Sequence, residues 1–90
     1  MFHLTIVTPE AVFFSGKVSS LVAPGQQGSF GVLANHAPLI SNLTEGVVTL
    51  TTPELTKKSY KIGIGFLDVL KNNVTLLTRS ILDASPPHKP

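Results

Sequence analysis

Apolar residues recur at every second position in this chain, and this alternation limits the possible folds more than any other feature. The clearest example is a stretch whose apolar side chains share one face and are separated by lysine or glycine: Tyr60, Ile62, Ile64 and Phe66. A period of two is typical of extended strands, whereas a helix has a period of about 3.6 residues. No window supports a helix of three turns. The sequence therefore predicts an all-β chain.

Turn-forming residues divide the chain into short apolar runs. Seven glycines and seven prolines recur between these runs, and both residue types favour turns over strand interiors. A flat sheet of so many short strands would leave an apolar face in water, so we expect a small β-sandwich or barrel of about ten short strands. The predicted strands are 3–8, 11–15, 17–23, 28–33, 37–41, 46–52, 57–64, 66–70 and 74–79, with a turn at Ser15-Gly16.

The alternation also indicates which side chains share a face. Three short sets each share one face of a strand: Phe2, Leu4 and Ile6; Val18, Ser20 and Val22; Val74 and Leu76. Four phenylalanines are predicted to lie in the core, namely Phe13, Phe14, Phe30 and Phe66, because aromatic side chains dominate small cores.

The ninety residues predict one domain, over residues 1–82, followed by a tail at 83–90. Three of the last five residues are proline, so we expect an extended, mobile tail. No apolar run approaches the ~18 residues of a membrane span. The N-terminus also lacks the basic flank and cleavage site of a signal peptide.

Residues suited to catalysis or to metal binding are scattered. The three histidines share no ligand spacing, the five acids stand apart, and there is no cysteine, so we predict neither a metal site nor a cofactor. The glycines at 25, 28 and 31 lack the order of a phosphate-binding loop. The chain is interpreted as a binding or structural module, and not as an enzyme.

The cluster Lys57, Lys58 and Lys61 lies in a predicted strand. Lysines on an edge strand discourage edge-to-edge pairing, and an anionic partner is the other explanation. Two alternatives therefore stay open from the residues alone: a small nucleic-acid-binding barrel, which needs an aromatic and basic strand face, or another β-sandwich binding module.

A specific resemblance begins at residues 28–46, GSFGVLANHAPLISNLTEG. Gly31, the run His36-Ala37-Pro38-Leu39, and Leu43 followed by Gly46 resemble the signature of the epsilon subunit of F-type ATP synthases, called delta in mitochondria. Further matches follow in the family's order and cover about residues 2–82: His3-Leu4, Val7-Thr8-Pro9-Glu10, Phe14-Ser15-Gly16, Gly65-Phe66-Leu67-Asp68-Val69 and Asn73-Val74-Thr75-Leu76-Leu77.

The resemblance implies a β-sandwich of about ten strands and a role in a rotor. In that family the sandwich lies at the foot of the central stalk, against the gamma subunit and the polar loops of the membrane c-ring. It couples ion flow to ATP synthesis without performing bond chemistry. The implied location is the cytoplasmic side of the bacterial inner membrane, or the stromal face of the thylakoid, with attachment through the complex.

The chain also departs from most members of that family, which continue into a C-terminal helical hairpin that regulates ATP hydrolysis. The sequence stops at Pro90, and its proline-rich end opposes a helix. We therefore expect either a subunit that lacks the hairpin or a truncated piece of a longer one. Such a sandwich would neither inhibit hydrolysis through an inserted hairpin nor bind ATP.

The resemblance also implies two partner surfaces. The c-ring candidates are Gln27, Gly28, Ser29, Phe30 and His36, and the gamma candidates are Thr8, Leu39, Ile40 and Ser41. Because a strand alternates, one of Leu39 and Ile40 is expected to lie in the core. The family often has an acid where this chain has Ser29. His36, which follows Asn35 and precedes Ala37-Pro38, is interpreted as a hydrogen-bonding residue of a turn.

Overall fold

The computed structural model describes residues 1–84, and these residues contain ten β-strands and no helix. The predicted all-β fold of about ten short strands is confirmed. The strands are β1 (Phe2–Val7), β2 (Val12–Val18), β3 (Ser20–Gly25), β4 (Gly28–Val32), β5 (Leu39–Leu43), β6 (Gly46–Thr51), β7 (Lys57–Ile62), β8 (Gly65–Leu70), β9 (Asn73–Thr78) and β10 (Ile81–Asp83).

The strands form one curled path in the order β10-β7-β6-β3-β5-β8-β9-β1-β2, with β4 paired to β3. Strands β3 and β5 meet at a single pair of residues, Gly25 and Leu43. The path therefore divides at that point into two layers. We call β4, β3, β6, β7 and β10 the β6 layer, and β5, β8, β9, β1 and β2 the β8 layer. Among the described strands, β1 and β9 form the parallel pair, and the other pairs are antiparallel.

The hydrophobic core lies between the two layers and takes side chains from both. Each layer is apolar on one face, so stacking the two faces removes both from water. The β8 layer contributes Phe2, Leu4, Ile6, Val18, Leu43, Leu67, Val69, Val74 and Leu76, and the β6 layer contributes Leu21, Ala23, Val32, Val48, Leu50, Tyr60 and Ile62. The sets beginning at Phe2 and Val74 thus occupy the core face of their strands.

An aromatic contact joins β2 of the β8 layer to β7 of the β6 layer. The rings of Phe13 on β2 and Tyr60 on β7 meet edge to face, with 5.1 Å between their centroids and 84° between their planes. Burial, together with the negative charge of Asp83, raises the pKa of Tyr60 above its ordinary value. The phenol is therefore protonated at neutral pH and packs as a largely apolar group.

The β7–β8 connection and the β9–β10 connection cross between the layers side by side, and together they form a corner of the sandwich. The Gly63 amide donates to the Ser80 carbonyl at 3.1 Å, and the Arg79 amide donates to the Ile64 carbonyl at 3.1 Å. The pairing of β8 with β9 therefore continues through the corner into the pairing of β7 with β10. The buried Thr78 hydroxyl lies 3.1–3.3 Å from three carbonyl oxygens of these connections and donates its single hydrogen among them.

A further crossing between the layers, from β2 to β3, explains two errors in the sequence prediction. Strand β2 runs through Gly16, so the predicted turn there is wrong, and the break falls at Ser19, whose amide donates to the Thr51 carbonyl at 2.8 Å. The chain changes layer at Ser19, and the direction of the core reverses for the next strand. Val22, predicted to share a face with buried Val18, is consequently 43% exposed.

The same reversal at the corner turns Ile64 and Phe66 outward, although the alternation predicts that they share a face with Tyr60 and Ile62. Phe66 is 49% exposed and Phe13 is also exposed, so their predicted places in the core are wrong. The other two phenylalanines, at positions 14 and 30, pack against the core as predicted.

Strand β10 was missed because it has only three residues, and its pairing with β7 supplies the evidence for it. The Ala84 amide continues this pairing by donating to the Ser59 carbonyl at 2.9 Å. The paired region thus extends to Ala84. The remainder of the predicted tail, residues 85–90, lies outside the described residues.

The corner requires glycine at position 65, because a Cβ there would overlap the Leu77 carbonyl oxygen. We predict that Gly65→Ala lowers the free energy of unfolding by about 1–3 kcal/mol, the usual cost of overpacking. Gly31→Ala is the matched control, since the nearest atom to its added Cβ is 3.8 Å away. Urea denaturation of both variants measures the difference. Equal stability of the two variants would contradict the role assigned to Gly65.

Candidate docking surface

The outward face of the β8 layer carries an apolar row that crosses four strands. Phe66 on β8 pairs with Leu77 on β9, Leu77 pairs with Val7 on β1, and Val7 pairs with Val12 on β2. Paired residues present their side chains on the same face of a sheet, so these four lie side by side. Phe66, Leu77 and Val12 are exposed. An outward row of this kind is typical of a surface that another protein covers.

Three of these four residues line a hollow of about 730 Å³, which we call the apolar hollow. Its lining includes Val7, Pro9, Ile64, Phe66 and Leu77. Thr8, one of the predicted gamma-contact residues, also lines it. The Thr8 amide donates to the Ala11 carbonyl at 3.0 Å, and this bond holds the β1–β2 turn at the rim of the hollow.

A second hollow of about 440 Å³, the polar hollow, lies between the β3–β4 turn and strand β5. It brings together six of the residues predicted from sequence: Gln27, Gly28, Ser29, Phe30, Ile40 and Ser41. The first four were assigned to the c-ring and the last two to gamma, so the structure places the two predicted surfaces next to each other. Gln26 and Asn42 line both the polar and the apolar hollow, so the two hollows adjoin.

The tip of the β3–β4 hairpin is a polar projection. Its turn is Gln26–Gln27, and the next residue, Gly28, has a φ of 119°, a conformation that L side chains rarely adopt. Gln27, Gly28 and Ser29 are all exposed. This end of the surface therefore offers amide, hydroxyl and backbone groups for hydrogen bonding, and no charged side chain.

The alternation of strand β5 decides between Leu39 and Ile40. Leu39 packs against the core, whereas the Ile40 side chain is 77% exposed. The expectation that one of the two is a core residue is confirmed. Ile40 is the side chain available to a partner at this point of the strand.

His36 lies away from the polar hollow, in the connection from Val32 to Leu39, at the opposite end of β4 from the hairpin tip. The His36 amide donates to the Leu33 carbonyl at 3.2 Å, and its ring Nδ1 is 2.7 Å from the Ala37 carbonyl oxygen. A carbonyl only accepts, so Nδ1 carries the proton in this contact. The ring stabilises the turn, as interpreted from the sequence.

Two asparagines clasp the His36 connection to the β8–β9 turn. The Asn35 amide donates to the Asn72 side-chain oxygen at 2.6 Å, and the Asn72 side-chain nitrogen donates to the Asn35 side-chain oxygen at 3.0 Å. Both residues have positive φ, 64° and 62°, and asparagine tolerates this better than most residues. Sequence reasoning missed this clasp because 37 residues separate its partners.

Within residues 1–84, no three or more His, Cys, Asp or Glu side chains come together in a way that could hold a metal ion. No helix in that range is long and apolar enough to cross a membrane. The features left to interpret are the two adjoining hollows and the polar hairpin tip beside them.

A family model described as the ATP synthase delta/epsilon chain, β-sandwich domain, matches residues 1–84. The chain belongs to this family. The ATP synthase epsilon chain of Chlorobium limicola is 42% identical over 80 residues, which cover 89% of this chain and 91% of that relative. The delta/epsilon family is thus established both by its domain model and by a relative that aligns along most of its length.

Two solved structures have the same fold as this delta/epsilon chain. A chain of the Euglena gracilis mitochondrial ATP synthase, in a structure of OSCP, F1 and c-ring, matches with a TM-score of 0.85 at 23% identity, covering 89% of this chain and 51% of that one. A chain of the Tetrahymena thermophila central stalk and c-ring matches with a TM-score of 0.75 at 16% identity, covering 90% and 65%. At these identities the likeness establishes the fold.

The clasp generates a prediction for the His36 connection. Asn72→Gly keeps the positive φ but removes both hydrogen bonds to Asn35, so we expect amide hydrogen exchange at His36 to accelerate and the free energy of unfolding to fall by about 1–2 kcal/mol. Lys71→Gly is the matched control, because Lys71 also has positive φ (51°) in the same turn and makes no bond to Asn35. Unchanged exchange at His36 in Asn72→Gly would show that the clasp does not hold the connection.

Proposed function

We propose that this chain is a non-catalytic subunit of the central rotor stalk of an F-type ATP synthase, where it joins the gamma subunit to the c-ring. The observation that carries the proposal is the adjacency of an apolar hollow and a polar hairpin tip on one side of a delta/epsilon sandwich. Two different neighbours can then bind at once, one mainly by apolar burial and the other by hydrogen bonding.

The gamma subunit is proposed to cover the apolar hollow. Phe66 and Leu77 supply the exposed apolar area, and Thr8 lies at the rim. Burying apolar surface contributes about 25 cal/mol per Å², so a row of half-exposed large side chains is a strong source of binding free energy. Ile40 and Ser41 extend this surface towards the polar hollow. Leu39 supports it from the core side.

The c-ring is proposed to contact the hairpin tip through Gln27, Gly28, Ser29 and the neighbouring Phe30. Uncharged amides and hydroxyls suit polar loops, since they can both donate and accept hydrogen bonds. His36 lies at the other end of β4, which pairs with β3. A c-ring contact that includes both the hairpin tip and His36 would run along the outer edge of β4, which is five residues long.

Joining two rotor parts couples ion flow to ATP synthesis mechanically. Torque passes from the c-ring to gamma only if the connecting domain is stiff, and a close-packed sandwich resists deformation. In this role the chain needs no cofactor and performs no bond chemistry. Its attachment to the membrane, on the cytoplasmic face in bacteria or the stromal face in chloroplasts, then runs through the c-ring.

The alternative of a nucleic-acid-binding barrel is not favoured by the geometry. That function needs aromatic and basic side chains on one strand face. Exposed Phe66 lies in the β8 layer, whereas Lys57, Lys58 and Lys61 lie on β7 in the β6 layer. Lys61 pairs with Val47 of β6 on one side and with Leu82 of β10 on the other, so edge protection does not explain this member of the lysine cluster.

Binding to gamma tests the proposal. We predict that Phe66→Glu weakens binding of the chain to its cognate gamma subunit by more than about tenfold, because the change places a carboxylate in an apolar interface. Val47→Glu is the matched control, since Val47 is 47% exposed in the other layer. Titration of immobilised gamma with each variant measures the affinities.

Equal weakening by the two substitutions would place the gamma surface elsewhere. Absence of binding by the unsubstituted chain would refute the proposed function itself. Both substituted positions are exposed, so circular dichroism of the purified variants is expected to match that of the unsubstituted chain.

A further inference from the structure

A third hollow continues the apolar hollow past the corner of the sandwich. It measures about 530 Å³, and its lining includes Val12, Phe13 and Ile81. Thr8 and Arg79 line both this hollow and the apolar hollow. The two therefore form one groove, which we call the corner groove, with Arg79 at its middle.

The position of Arg79 along this groove is fixed by the backbone. Its amide donates to the Ile64 carbonyl at 3.1 Å, within the pairing that forms the corner, and its side chain is exposed. Among residues 1–84, no carboxylate forms an ion pair with its guanidinium. Of the described residues that line the groove, Arg79 is the one cation and Glu10 the one anion.

A partner that covers the corner groove must deal with this charge. Apolar side chains flank Arg79 on both sides, so a segment seated in the groove removes the guanidinium from water. Burying a charge without a partner is strongly unfavourable. Arginine presents a planar fork of N–H donors that fits a carboxylate with two parallel hydrogen bonds.

We infer that Arg79 is a specificity-determining residue, and that the docking segment of the gamma subunit carries a carboxylate that pairs with it, between apolar side chains that fill the two halves of the corner groove. This inference rests on the proposed docking of gamma to this side of the sandwich. It adds the chemistry of the docking segment: apolar side chains on both sides of one acid.

Binding of the intact chain to its cognate gamma subunit tests the inference with three substitutions at one position. Arg79→Gln removes the charge and is expected to weaken binding about tenfold. Arg79→Glu places two carboxylates together and is expected to weaken binding further. Arg79→Lys keeps the charge without the fork and is expected to fall between the unsubstituted chain and Arg79→Gln.

The matched control is Lys71→Gln, which removes an exposed cation that does not line the groove. It is expected to bind gamma like the unsubstituted chain. The salt dependence of the dissociation constant gives a second readout, because the attraction between opposite charges on the two partners weakens as salt rises. This dependence should be shallower for Arg79→Gln than for Lys71→Gln.

The outcomes distinguish failure of the proposed function from failure of this inference. If the unsubstituted chain does not bind gamma, the proposed function and this inference both fall. If it binds gamma and Arg79→Gln binds equally well, the inference alone is overturned. Binding of Arg79→Glu as tight as that of Arg79→Gln would also overturn it, because the partner surface would then not be acidic.

Discussion

The corner where two connections cross together from one layer to the other is the constraint on which this sandwich depends. Gly63 and Ile64 cross in one direction, and Arg79 and Ser80 cross back, hydrogen-bonded to each other. This pairing satisfies backbone groups that a crossing would otherwise leave without partners, which matters because a buried unpaired group costs about 1–3 kcal/mol. The Thr78 hydroxyl adds a donor at the same place, and the described residues contain no buried side-chain nitrogen or oxygen without a partner.

The corner also creates the candidate docking surface. A strand that changes layer reverses the direction of its core-facing side chains, so the residues just beyond the crossing turn outward. Ile64 and Phe66 become exposed for this reason, and Arg79 is held beside them by the returning connection. The segment that closes the fold is thus the segment that lines the apolar hollow. A substitution that loosens the corner would therefore disturb both stability and the shape of the hollow.

The sequence predicted strand number and approximate strand positions well, because alternation and turn residues are local signals. The same reasoning could not predict that the side chains of Val22, Ile64 and Phe66 point outward. Their direction depends on where the chain changes layer, and strand pairing between distant parts of the sequence determines that position. Strand β10 was beyond reach because three residues carry too little pattern. The resemblance assigned the β3–β4 turn and part of β5 to two different partners, whereas the polar hollow brings them together. It grouped His36 with the turn, although His36 lies at the opposite end of β4.

Most residues of the apolar hollow escaped sequence reasoning for a related reason: an exposed Phe or Leu in a strand looks like a core residue until the facing of its strand is known. Their exposure also argues for a partner in its own right. Contiguous half-exposed large side chains invite non-specific association when nothing covers them. Retaining Phe66, Leu77 and Val12 in one row is reasonable if another protein covers them. A cation at the middle of the adjoining groove then limits which proteins can do so, because each candidate must bring an acceptor for it.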